Sequence, residues 1–139
     1  MSEKSSRFKN WKKPFIKEGK LTKWNWMVQN KNNLKLGYGV DIGAFCYINA
    51  KYSVMIEDDV EIGSHCSIYS FSTIDGKKGP VVIKKNAKIG THSVIMPNVI
   101  VGSGSIVAAF SFVNKNVPAN VIVAGVPAKI IKKLVKDKS

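Results

Sequence analysis

Histidine, cysteine and acidic side chains are all scarce in this chain of 139 residues. Histidine occurs only at positions 65 and 92, so general-base chemistry near neutral pH has two candidates, His65 and His92. Cysteine also occurs twice, and Cys46 and Cys66 fit buried free thiols better than a disulfide or a metal pair. No run of about 18 apolar residues is present, which excludes a membrane-spanning helix. The basic, polar N-terminus lacks the apolar core of a secretory signal, so a cytoplasmic protein is expected. Asp and Glu number 9 against 22 Lys and Arg, a net charge of +13. Such charge makes an electrostatic footprint for nucleic acid, but no helix-turn-helix, RNP-like or zinc-knuckle pattern accompanies it, which argues against that partner. Small molecules bearing phosphate suit the charge equally well, and most of the lysines read as a solvated surface.

What the chain does have is a period of six. Leu36, Ile42, Ile48 and Val54 form one series, and Ile56, Ile62, Ile68 and Ile74 a second, slipped by two. Ile83, Ile89, Ile95, Val101, Val107 and Val113 form a third. Glycine follows several of them (Gly37, Gly43, Gly63, Gly90, Gly102), and small or β-branched residues such as Cys46, Val60, Cys66, Ser93 and Ser111 stand two positions before. An α-helix with 3.6 residues per turn would scatter such positions around its axis. Short parallel strands stacked in a coil would not. Three hexads close a triangular turn, and stacked turns bury one continuous core. The fold class read from this pattern is all-β, a parallel β-helix of hexapeptide repeats with a short C-terminal helix.

The chain is one domain in three stretches. Residues 1–35 form a basic, aromatic cap segment, 36–118 the β-helix, and 119–139 an extended segment and short helix. The first dozen residues are rich in Ser and Lys and are expected to be mobile. In the cap, Trp11, Phe15, Trp24, Trp26 and Met27 would cover the open first coil, and KLTKWNWMVQN reads as either a strand or a short helix. Asn30, Asn32 and Asn33 make a turn into the repeat. The slip between Val54 and Ile56 is a small bulge or an extended corner. Between Ile74 and Ile83 the count is three too long, and DGKKGPV reads as a loop thrown out of the coil. Solenoid insertions tend to project on the binding face, which draws attention to Asp75, Lys77 and Lys78. Near the end, Ile130, Ile131, Leu134 and Val135 recur at helical spacing, opposite Lys129, Lys132, Lys133 and Lys136.

These hexads, with the ending V-N-K-N-V-P-A-N-V-I-V-A-G-V-P-A-K-I-I, resemble the hexapeptide-repeat acyltransferases, whose fold is a left-handed parallel β-helix. The resemblance covers roughly residues 36–132. The stretch I-G-S-H-C-S-I-Y-S-F-S-T-I-D and the short Lys/Gly loop after it are similar to small sugar N- and O-acetyltransferases of bacterial surface-polysaccharide pathways. It implies a homotrimer with active sites between subunits and acetyl-CoA as acyl donor, its pantetheine arm against backbone amides. By position, Ala108, Ala109 and Ser111 match the small turn beside that arm, with Phe110 in place of the usual glycine. Ala124, Gly125 and Lys129 match the element near the nucleotide of CoA.

Acyl transfer requires a base for the attacking nucleophile and both substrates held in line. His65 and His92 each stand three residues after a hexad aliphatic, so both point outward near a corner. The long loop that carries a catalytic histidine in sugar O-acetyltransferases is missing. His65 is the first choice as base because it precedes the 74–83 loop by about half a coil; His92 is the alternative. Asp75 could orient a base, bind a substrate amine or hydroxyl, or serve as a plain turn residue. No metal is expected, because a zinc-dependent carbonic anhydrase of the same fold needs three histidines. The expected reaction is acetyl transfer to the amine of an amino sugar, carried on a nucleotide. A sugar hydroxyl is the alternative acceptor, and a non-catalytic solenoid scaffold is the third reading.

Overall fold

A computed structural model describes residues 10–135; Lys4, Arg7, Lys9, Lys136 and Lys138, and most of the stretch expected to be mobile, lie outside the described residues. The first coil consists of β1 (Met27–Gln29), β2 (Leu34–Leu36) and β3 (Asp41–Ile42). The second holds β4 (Tyr47–Asn49), β5 (Val54–Ile56) and β6 (Glu61–Ile62). The third holds β7 (Ser67–Tyr69), β8 (Val81–Ile83) and β9 (Lys88–Ile89), and the fourth β10 (Val94–Ile95), β11 (Ile100–Val101) and β12 (Ile106–Val107). A fifth is begun by β13 (Phe112–Val113) and β14 (Val121–Gly125), and β15 (Ala128–Lys133) follows. The strands stack as three faces: β1-β4-β7-β10-β13 on the first, β11-β8-β5-β2 on the second, and β15-β14-β12-β9-β6-β3 on the third. Every pairing between coils is parallel, and the architecture is the left-handed β-helix.

The hexad residues build the core as their spacing requires. Ile48, Ile56, Ile68, Ile83 and Ile95 are fully buried, and partners stack from coil to coil: Ile48 on Val28, Ile56 on Ile83 and Ile83 on Val101, with Val54 on Val81 and Val107 on Ile89. Partners on the first face, Val28, Ile48, Ile68, Ile95 and Val113, are 20, 20, 27 and 18 residues apart. The slip at Val54–Ile56 is an extended corner: both residues point inward on β5, and Ala50–Ser53 make up the extra length. Parallel pairing between coils runs from Met27 to Val123.

Two expectations are corrected. Ile74 is not a coil position, for it is 97% exposed. The chain leaves the coil after buried Ser70, whose hydroxyl donates to the Asn49 carbonyl at 2.7 Å, and it returns at Val81. Between them Phe71 and Lys78 form a small antiparallel bridge, so Ile74 fell in phase with the repeat by coincidence. Among the described residues the C-terminal helix is likewise absent. Residues 128–133 form β15, which turns back and pairs antiparallel with β14. The reason lies in the edge: β14 ends the third face, and its open backbone groups are satisfied by a returning strand and would not be by a helix. Adjacent β-branched Ile130 and Ile131 suit a strand.

At the other end, Trp26 is fully buried over the first coil, as a cap must be. KLTKWNWMVQN ends in the strand β1, and residues Lys31–Asn33 form one 3-10 turn. The Glu18 carboxylate accepts the backbone N–H groups of Asn30 (2.7 Å) and Lys31 (2.8 Å), which ties the cap segment to that turn.

Truncating a stacked core side chain leaves a cavity, whereas an exposed loop residue has little to lose. Ile68→Ala should cost about 2–5 kcal/mol in urea denaturation, and Ile74→Ala less than about 0.5 kcal/mol. Equal losses would contradict the exclusion of Ile74 from the core.

Candidate active site

The corner from the third face to the first repeats four times, as residues 43–46, 63–66, 90–93 and 108–111. In each, the third residue adopts a left-handed backbone: Phe45 (φ 65), His65 (φ 60), His92 (φ 60) and Phe110 (φ 62). That conformation turns the chain and sends the side chain outward, while the fourth residue (Cys46, Cys66, Ser93, Ser111) is buried. Neighbouring coils lie one strand spacing apart, about 4.8 Å. The four rings therefore stack into one ladder. Centroids are 5.3 Å apart for Phe45–His65, 4.7 Å for His65–His92 and 4.9 Å for His92–Phe110, the last two pairs nearly parallel.

Close packing of the coils depends on glycine here. A Cβ on Gly63 would approach the Thr91 backbone nitrogen to 2.7 Å, and one on Gly90 that of Ala109 to 2.5 Å. The buried thiols are free, and donate to carbonyls of the next coil, Cys46 to Gly63 (3.0 Å) and Cys66 to Gly90 (3.2 Å). Contact with Cys66, then burial, pushes the Cys46 thiol up from its ordinary value, so it is no nucleophile.

The two histidines differ in how they are held. The Thr91 hydroxyl donates to the Ser64 carbonyl at 2.7 Å, which uses its only proton. His92 Nδ1 lies 2.8 Å from the same oxygen, and with the Thr91 proton on the Ser64 carbonyl a neutral ring meets it as Nδ1–H. Nε2 is then left with a lone pair, the form a general base requires. Ser64 Oγ, 3.2 Å away, fills the remaining acceptor position of Thr91. No side-chain hydrogen bond sets the tautomer of His65, which is held by stacking alone among the described residues. Thr91 and Phe45 escaped the sequence reading, and Phe110 was noted there only as a replacement for glycine in the turn matched to CoA. The signal was available, because all four ladder residues stand three positions after a hexad aliphatic.

Beside the ladder runs a surface groove of about 470 Å³, bordered by Gly63, Gly90, Ala108 and Ala109 and floored by Asp41, Glu61 and Lys88. The residues matched to the CoA turn and the C-terminal element lie together at its end. The Ala108 N–H donates to the Val123 carbonyl (2.9 Å), and Ala124 is paired with Lys129 across β14 and β15. Ser111 is buried; its hydroxyl donates to the Ala108 carbonyl (2.6 Å) and accepts the Gly125 N–H (3.2 Å), so it braces the turn from inside.

Asp75 is not brought to the histidines. It sits at the exposed tip of the 71–80 loop, at the corner beyond β7, with the strand between it and His65. Its carboxylate accepts the Lys77 N–H at 3.1 Å, and that bond, then the Ser72 hydroxyl, holds it below the usual carboxylate range. Among the described residues no cluster of His, Cys, Asp and Glu could hold a metal ion, and no helix is long and apolar enough to cross a membrane.

Residues 80–115 match the family described as bacterial transferase hexapeptide (six repeats). The chain is 32% identical over 113 residues to galactoside O-acetyltransferase of Escherichia coli (strain K12), covering 70% of this chain and 56% of that protein. It spans about half or less of the length of the curated relatives it matches. A hexapeptide-repeat acetyltransferase of Vibrio cholerae O1 biovar eltor, complexed with acetyl coenzyme A, superposes with a TM-score of 0.74 at 27% identity, over 80% of this chain and 66% of that one. A variant of an N-acyltransferase from Bacillus cereus, in complex with dTDP-4-amino-4,6-dideoxyglucose and coenzyme A, gives a TM-score of 0.58 at 28% identity, over 81% and 71%.

If Thr91 fixes the imidazole, nitrogen-15 NMR should find neutral His92 with its hydrogen on Nδ1. Thr91→Val should move the ring toward the Nε2–H form, and Thr91→Ser should restore it. A wild-type His92 found mainly as Nε2–H would contradict the hydrogen-bond assignment.

Proposed function

Because the chain belongs to the hexapeptide-repeat transferase family, we propose that it moves an acetyl group from acetyl-CoA to the amine of a nucleotide-linked amino sugar. The observation that supports this reading is the ring ladder, with the His92 imidazole bonded to Thr91, beside a groove bordered by small residues. In the reaction the amine nitrogen attacks the thioester carbonyl. His92 Nε2 takes the proton released as the C–N bond forms, the C–S bond breaks, and CoA leaves as the thiolate, which is then protonated. The sequence pointed first to His65; the hydrogen bonding favours His92, with His65 stacked beneath it. The pantetheine arm runs along Gly63, Gly90, Ala108 and Ala109, and the CoA nucleotide lies toward Ala124, Gly125 and Lys129.

An amine acceptor is supported by the likeness to the Bacillus cereus N-acyltransferase, whose bound sugar carries a 4-amino group. Transfer to a sugar hydroxyl is the second reading, favoured by the identity to a galactoside O-acetyltransferase. Acetyl-CoA is a cytoplasmic metabolite, so the reaction is placed there, in surface-polysaccharide synthesis. The working unit is a homotrimer with sites shared between subunits. Such an assembly would also cover Ile130 and Ile131, which are exposed on β15 of a single chain.

The direct test is to follow thiol release from acetyl-CoA with nucleotide-linked amino sugars and with sugars bearing only hydroxyls. Release with the amines alone is expected; release with hydroxyl acceptors alone would select the second reading, and none with any acceptor on the panel would favour a scaffold. His92→Asn should lower kcat by about 10²–10⁴-fold while CoA affinity stays nearly constant, and His65→Asn should do less. The reverse order would return the role of base to His65. Light scattering should find a trimer, and a monomer across a wide concentration range would sink the shared site.

A further inference from the structure

A second concave site lies where the cap segment crosses the first coil. It is a cavity of about 380 Å³ lined by Trp11, Lys12, Lys23, Trp24 and Trp26, with Asp41 at its edge. Trp26 is fully buried and does the capping, whereas Trp24 is 48% exposed and Trp11 half-buried. Neither of these two is loosely placed. The Trp11 indole N–H donates to the Val40 carbonyl at 3.0 Å, and its ring meets Tyr38 edge-on at 5.0 Å. Trp24 stands on a turn knotted by Thr22, which accepts the N–H groups of Trp24 (3.2 Å) and Trp26 (3.3 Å) on its hydroxyl and that of Asn25 (2.9 Å) on its carbonyl. Among the described residues both indoles thus keep exposed surface in a hollow, and Lys23 Nζ lies 5.7 Å from the centre of the Trp24 ring.

We propose that this cavity binds a nucleoside diphosphate, the base against Trp24 and Trp11 and the phosphates on Lys23 and Lys12. The chemistry selects that class. Indole faces stack on a flat base, and ammonium groups meet phosphate. Asp41 is the one carboxylate among the lining residues, against the two lysines Lys12 and Lys23. Position points the same way. Asp41 borders both this cavity and the groove beside the histidines, so the two hollows adjoin. From β3, level with the cavity, to β9, level with His92, is two strand spacings, about 10 Å. A pyrophosphate linker between nucleoside and sugar can bridge that gap, and a free monosaccharide cannot. The site would therefore hold the nucleotide of the acceptor, while the C-terminal element at the far end of the groove takes that of CoA. In this the inference rests on the acetyl-transfer reading proposed above.

The test uses the whole chain without CoA. UDP, dTDP and GDP are titrated by tryptophan fluorescence and by calorimetry at low ionic strength. At least one should bind saturably and quench, more tightly than inorganic phosphate. Trp24→Ala, at a half-exposed position, should keep the wild-type circular dichroism and melting and weaken binding about tenfold or more. Lys23→Ala should weaken it too and flatten the salt dependence. Absence of saturable binding by all three nucleotides to folded protein overturns the proposal, as does wild-type affinity in Trp24→Ala. Equal displacement by adenosine 3′,5′-diphosphate would overturn the acceptor assignment, because the cavity would then serve CoA. A lower mass for Trp24→Ala with unchanged nucleotide affinity would mark the cavity as a contact between copies, and also overturn it. The two readings fail separately. Nucleotide binding without acetyl transfer would sink the enzyme and leave this site, and transfer with unchanged KM in Trp24→Ala would do the opposite.

Discussion

The rise of one coil over the next is fixed by the hydrogen bonds between parallel strands, at about 4.8 Å. The rest of the molecule answers to that spacing. Inside, it requires side chains that stack on copies of themselves, so the core is columns of Ile and Val. At the corners it is close to the preferred separation of offset-stacked rings. Four aromatic or imidazole side chains, each turned outward by a left-handed residue, consequently form one column on the surface. The coil spacing that builds the core also builds the candidate site.

Each corner divides its work between adjacent residues. The outward residue presents a ring to the surface, and the next, a cysteine or serine, closes the interior by donating to a neighbouring carbonyl. No buried side-chain polar atom among the described residues lacks a partner. That interior hydrogen bond anchors the backbone from which the ring projects. Thr91 adds a second restraint, linking His92 to the Ser64 carbonyl one coil below. The orientation of the His92 imidazole is thus set by the stacking of coils as much as by its own side chain.

The hexads were legible because a period of six has one structural solution. Their failure at Ile74 is informative. Phase alone cannot separate a residue inside a coil from one on a hairpin that begins in step with it, and burial decides. Residues 128–133 were misread because Ile130, Ile131 and Leu134 satisfy a helical spacing, while the need of β14 for an edge partner is a tertiary fact. The histidines were found, but the ladder was not. His65 and His92 are 27 positions apart across a coil carrying the 71–80 loop, so their contact becomes visible only when the register is known. Asp75 drew attention as a loop carboxylate, yet a face of the triangle, the strand β7, separates it from the ladder.

The central claim is that the reacting thioester lies on the ladder corner. A crystal structure with CoA bound tests this most directly, by locating the sulfur. The account predicts it in the groove beside Gly90 and Ala108, within hydrogen-bond reach of a substrate held at His92 Nε2. A sulfur found at the 71–80 loop, near Lys51 and Lys78, would contradict it and move the chemistry to the other corner.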